Sequence, residues 1–108
     1  MSRRIEIAKN FAREMKSEKI GRMILFGSVA RGDDHSHSDI DILVVSNHRK
    51  EIWPKISHII ADTVMNEGEL LSVHVMPENI FNETRDYSFL TNVKRRNTSR
   101  ILDHVLFV

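Results

Sequence analysis

The chain has 108 residues, 41% of them hydrophobic, which suits one compact domain around one modest core and leaves no room for a second. Sixteen Lys and Arg against fifteen Asp and Glu leave a formal net charge of +1, so no global field recruits nucleic acid or an anionic membrane, and any polyanion site must be local. The absence of cysteine excludes a disulfide framework and a thiolate zinc site and is compatible with a reducing compartment.

The opening "MSRRIEIAKNFAREMK" spreads charge through itself and lacks the apolar stretch of a signal peptide. No run approaches the roughly 20 apolar residues of a membrane span, so a soluble, cytoplasmic protein is expected. From Arg4 to Lys19, Ile5, Ala8, Phe11, Ala12 and Met15 recur three or four apart, the period of an amphipathic helix, with Gly21 as a stop. "RMILF" is a short apolar run bounded by Gly21 and Gly27, which reads as a strand covered on both faces. "DIDILVV" reads as its neighbour, with Ile40, Ile42 and Val44 on one face and Asp39, Asp41, Leu43 and Val45 on the other.

From Lys50 to Glu67, a stripe of Trp53, Ile56, Ile60 and Val64, flanked by Ile52 and Ile59, predicts a second helix, with Pro54 tolerated in its first turn. "ELLSVHVM" alternates as a third strand ended by Pro77. "ENIF" starts a helical turn, and Phe89, Leu90 and Val93 mark a further helix. The apolar ending "RILDHVLFV" must pack back as a strand or be covered by another chain.

Within this frame "GSVARGDDHSHSDIDILVV" asks why two aspartates enter an otherwise buried strand. A carboxylate pointing into a core is unfavourable unless paired, protonated or metal-bound, and residues two apart on a strand share a face. Asp39 and Asp41 therefore form a paired-carboxylate face that repels itself unless a cation sits on it. Carboxylates with phosphate oxygens are the hard ligands Mg²⁺ prefers. Gly27 permits a sharp turn, and Ser28 offers a hydroxyl and an amide at the start of a short helix, where anions are favoured. Ten residues separate Ser28 from Asp39, enough for the chain to return on the neighbouring strand with both halves facing each other. Chance would produce Gly-Ser, ten residues, Asp-x-Asp on the order of once in a thousand chains of this size.

This stretch closely resembles the signature of the minimal nucleotidyltransferases of the DNA polymerase β-like superfamily. The shared pattern is GS, ten residues and DxD, with Ala-Arg-Gly and Ser-Asp in the loop. The order helix, strand, strand, helix, strand, helix matches over nearly the whole chain. The resemblance implies an α+β fold, a small mixed β-sheet with helices packed on one side, with residues 1–108 as a single nucleotidyltransferase domain. It also implies nucleotidyl transfer: Gly27 and Ser28 bind the triphosphate, Arg31 neutralises phosphate charge, and Asp39 and Asp41 hold two Mg²⁺ ions. A nucleoside monophosphate, AMP from ATP, would pass to an acceptor hydroxyl with release of pyrophosphate. Small members of the family are often antitoxins of a helical HEPN toxin, silenced by adding AMP to a tyrosine. A protein partner of this kind, or a second copy of the chain, would supply the acceptor surface. The apolar tail and Lys94, Arg95, Arg96 and Arg100 are candidates for that contact, beside the alternative of a solvated helix face.

Active superfamily members place a third carboxylate on a following strand. Here "LLSVHVM" offers Ser72 and His74 at that place and no acid. His74 is either a base or ligand, or a structural histidine. Glu67 and Glu69 stand at the strand's entrance rather than inside it. A P-loop reading of "GSVARG" fails because Asp33 and Asp34 stand where Lys and Ser/Thr would hold phosphate. His35 and His37 with the neighbouring aspartates could form a transition-metal cluster, but they alternate along a loop, which favours solvated histidines. Three functions follow: an active Mg-dependent nucleotidyltransferase, a nucleotide-binding module without turnover, and a purely structural antitoxin.

Overall fold

The computed structural model describes residues 2–83, 100–102 and 105–107. The helix expected from Phe89, Leu90 and Val93 and the basic residues at 94–96 lie outside them. α1 (Arg3–Met15) is capped by Ser2, whose Oγ accepts from the Ile5 amide at 3.1 Å, satisfying one of the orphan donors of a first turn. It ends well short of Gly21. Ser17 draws the chain into a turn through its Oγ, accepting from Lys19 N at 3.1 Å, and its carbonyl, accepting from Ile20 N at 3.2 Å. That local bonding competes with helix.

β1 (Arg22–Phe26) leads into α2 (Gly27–Arg31), and β2 (Ile40–Val45) returns beside β1. α3 (Arg49–Glu67) follows, with Pro54 in its second turn rather than its first. The amide missing there deprives the Lys50 carbonyl of an intrahelical donor, which a helix of 19 residues tolerates. β3 (Leu71–Met76) and α4 (Glu78–Glu83) come next. The C-terminal apolar run packs back into the sheet as β4 (Arg100–Leu102) and β5 (Val105–Phe107).

The sheet runs β3-β2-β1-β5-β4 and is mixed. β1 is antiparallel to β2 and parallel to β5, β2 is parallel to β3, and β4 is antiparallel to β5. α1 and α3 cover one face, where Phe11, Met23, Leu25, Ile40, Ile42 and Ile56 form the main core. On the other face Phe81 of α4 packs with Ile24, Leu43 and Val45, flanked by Phe26 and Met76.

The buried stripe of α3 is Ile52, Ile56, Ile59 and Thr63, turned by about one residue from the expected one, and Val64 is 46% exposed. Thr63 enters the core because its Oγ1 donates to the Ile59 carbonyl at 2.7 Å, which removes the penalty of burying a hydroxyl. Trp53 keeps a half-buried place under the Arg49 guanidinium, 4.8 Å from the ring centre. Among the described residues no helix is long and apolar enough to cross a membrane. The stripe can be checked by denaturant unfolding. Ile56→Ala should lose about 2–5 kcal/mol, whereas Val64→Ala should stay within about 0.5 kcal/mol of the parent.

Candidate active site

The end of the β1–β2 pair is fixed by register. Phe26 lies opposite Asp41, so the turn after Phe26 passes directly beside the Asp41 carboxylate. Gly27 makes that turn with φ 78°, in the left-handed region that side chains disfavour. A Cβ built on Gly27 would overlap Asp41 Oδ2 and stand 3.2 Å from its Cγ. The position therefore needs glycine for both its backbone and its neighbour. Ser28 follows in the first turn of α2, where amides lack intrahelical acceptors. Its carbonyl accepts from Gly32 N at 2.9 Å and Asp33 N at 3.1 Å, closing the short helix.

Asp41 is half-buried and Asp39 exposed. Burial first, and repulsion from Asp39 second, raise the Asp41 pKa above the ordinary carboxylate value, opposed by the charges of His74 and Arg31. A half-desolvated carboxylate with a like charge beside it is a position that gains from a cation. Arg31 is close enough to act on Asp41 electrostatically, while its Nε donates to Asp33 Oδ2 at 3.3 Å.

On the far side of β2, Ser72 pairs with Asp41 and His74 with Leu43 in the parallel register, so both project to the face that carries Asp41. Ser72 Oγ lies 3.5 Å from His74 Nε2, and the His74 ring stands 6.1 Å from that of Phe26. Glu67 and Glu69 are engaged elsewhere. Arg3 donates to Glu67 through Nε, at 3.1 Å to Oε2, and through Nη2 to its carbonyl, and Arg4 Nε donates to Glu69 Oε2.

The loop between α2 and β2 is compact. His35 N donates to Ser38 Oγ at 2.9 Å and Ser38 N to the His35 carbonyl at 3.0 Å. His35 Nδ1 accepts from His37 N at 3.1 Å. No group of three or more His, Cys, Asp or Glu arranged for a metal ion occurs among the described residues. Arg4 also reaches this loop from α1, a contact that sequence reasoning missed because Arg4 fell on the solvent face of an amphipathic pattern.

A family model described as a nucleotidyltransferase domain matches residues 5–104. The chain belongs to the nucleotidyltransferase domain family. Its elements and sheet fit the polymerase β-like fold of the minimal nucleotidyltransferases, and the domain is that of a nucleotidyl-transferring enzyme. It is 35% identical over 88 residues, 79% of this chain and 85% of the relative, to a protein of Methanocaldococcus jannaschii named "Putative protein adenylyltransferase". A second protein of that organism with the same description is 46% identical over 44 residues, covering 38% of this chain and 44% of the relative. No solved structure matches the nucleotidyltransferase chain.

Two substitutions probe this geometry. Gly27→Ala should lose about 1–2 kcal/mol from the backbone alone, and more from displacing Asp41, read by thermal unfolding. For Asp41 the folded pKa lies above the unfolded one, so within that window the folded protein keeps a proton that the unfolded chain has lost. Stability therefore falls as pH rises through the window, and the ionised carboxylate destabilises the fold above it. Asp41→Asn should thus melt above wild type at about pH 8 without divalent ions, the gap closing on acidification as wild-type Asp41 protonates.

Proposed function

We propose that the protein is a Mg²⁺-dependent adenylyltransferase that moves AMP from ATP to a hydroxyl on a protein, with residues 1–108 acting as one domain. The observation that carries this reading is the approach of Gly27 to Asp41, which sets a Gly-Ser turn against a carboxylate pair at one end of the sheet. Asp39 and Asp41 would hold the metal, whose chemistry when bound is Lewis-acid activation of the attacking and leaving oxygens. The residues fit it: both are hard oxygen donors, and burial and mutual repulsion already disfavour a bare Asp41 carboxylate. Ser28 offers its hydroxyl and free amide to the phosphates, and Arg31 a guanidinium whose charge already reaches Asp41.

In the reaction the acceptor oxygen bonds to the α-phosphorus, the bond to the bridging oxygen breaks, and pyrophosphate leaves. The acceptor proton must go to a base. β3 offers His74 Nε2, 3.5 Å from Ser72 Oγ on the strand beside Asp41. The similarity to proteins named as protein adenylyltransferases supports AMP and a protein acceptor. Within the resemblance to minimal nucleotidyltransferases, the acceptor is a tyrosine of a HEPN-type toxin and the role that of its antitoxin. A second reading, nucleotide binding without turnover, is favoured by one observation: the β3 residue paired with Asp41 is Ser72, and Glu67 and Glu69 are bound to Arg3 and Arg4.

The test is incubation with Mg²⁺ and ATP labelled at the α-phosphate, with and without a candidate helical toxin, beside the double variant Asp39→Asn/Asp41→Asn. Label should pass to the protein acceptor with the intact aspartates and fall to background in the variant. Magnesium-dependent ATP binding with no label on any acceptor would select the second reading. Absence of both would reject the nucleotide site.

A further inference from the structure

The Arg4 guanidinium joins three parts of the fold that are distant in sequence. It donates from Nη1 to Asp34 Oδ2 at 2.8 Å and to the His35 carbonyl at 2.6 Å, and from Nη2 to the Ser36 carbonyl at 3.2 Å. Its Nε donates to Glu69 Oε2. The side chain is 14% exposed, and those of Asp34 and Glu69 are 22% and 17% exposed, so the cluster is sheltered rather than a loose surface pair. A planar fork with five donors can satisfy two carboxylates and two carbonyls together, which a single ammonium cannot.

The placement of this cluster determines what it can do. Asp39 is exposed and precedes the first residue of β2, so no strand pairing fixes it. On its N-terminal side the loop is held at residues 34–36 by Arg4. On its C-terminal side Ile40 N donates to the Leu70 carbonyl at 2.9 Å, one residue beyond Glu69, the other carboxylate that Arg4 grips. Both flanks of Asp39 are therefore referred to the same guanidinium. We infer that Arg4 is the positioning residue of the site: it fixes the loop so that the Asp39 carboxylate is held near enough to Asp41 to act on it. The inference rests on the reading under Proposed function and adds a determinant that lies outside the GS…DxD stretch. Substitutions in the shell that orients metal-binding side chains weaken metal binding without touching the metal.

The test uses the full chain and isothermal titration with ATP, in magnesium and in EDTA, well below the melting temperature. Arg4→Lys keeps the charge and loses the fork. It should weaken ATP binding in magnesium by about tenfold or more and change binding in EDTA by less than about twofold, the signature of a displaced metal-binding carboxylate. Amide hydrogen exchange at residues 34–38 should accelerate in the same variant while the amides of α3 stay protected. Arg3→Lys, at an exposed pair with Glu67 that does not reach the loop, should leave both readouts unchanged. If Arg4→Lys does not fold, Asp34→Asn, which leaves the contacts to Glu69 and the two carbonyls, should show the same magnesium-selective loss. Unchanged affinity in magnesium, or an equal loss with and without it, overturns the positioning role. Wild-type protein that binds no ATP in magnesium overturns the underlying nucleotide reading, an outcome seen before any variant is compared.

Discussion

Asp41 sits opposite Phe26 at the last rung of the β1–β2 ladder, and the chain leaving Phe26 has to turn past its carboxylate at a distance only glycine allows. This one close approach organises the site end of the molecule. It places Ser28 at the start of α2, brings Arg31 within electrostatic reach of Asp41, and leaves the carboxylate half-buried with a like charge beside it. The rest of the sheet holds the rung in place. Ile42 and Leu25 pack beneath α1 and α3, while Ile24, Leu43 and Val45 pack with Phe81 on the opposite face. An acid at Asp41 within the strand is tolerable here because the strand's hydrophobic residues are buried on both faces and anchor the register, while Asp39 stays exposed just ahead of it.

Much of this was legible in the residues. The short runs at 22–26 and 39–45 read as covered strands, the second starting one residue later than expected, at Ile40, and the period of α1 identified its buried face. The spacing of Gly-Ser from the two aspartates placed them at one end of neighbouring strands, and the register sets Phe26, just ahead of Gly27, opposite Asp41, with Asp39 one residue outside β2. The failures have local causes. Ser17 ends α1 early through side-chain and backbone bonds that a hydrophobic pattern does not register. The buried face of α3 was displaced because Ile and Trp occupy several sides of that helix, and because Thr63, polar by composition, hides its hydroxyl on Ile59. Arg4 left no trace at all. Its partners lie 30 and 65 residues away, and a guanidinium on an amphipathic helix looks the same whether it is solvated or clamps a loop.

The two glutamates ahead of β3 show how placement decides chemistry among identical side chains. By sequence distance either could stand in for a third acid beside Asp41. In the fold, Glu67 ends α3 and Glu69 lies in the connection to β3, and α1 presents an arginine to each. Glu69 lies in a sheltered pair with Arg4, whose guanidinium already engages its Oε2. The same pair is well suited to hold a loop. Acids near the site are thus divided by placement: Asp39 and Asp41 lie at one end of the sheet, while Asp34 and Glu69 share the single Arg4 guanidinium. What remains on β3 next to Asp41 is Ser72, with His74 beside it. In the proposed reaction the proton leaving the acceptor therefore meets an imidazole rather than a carboxylate.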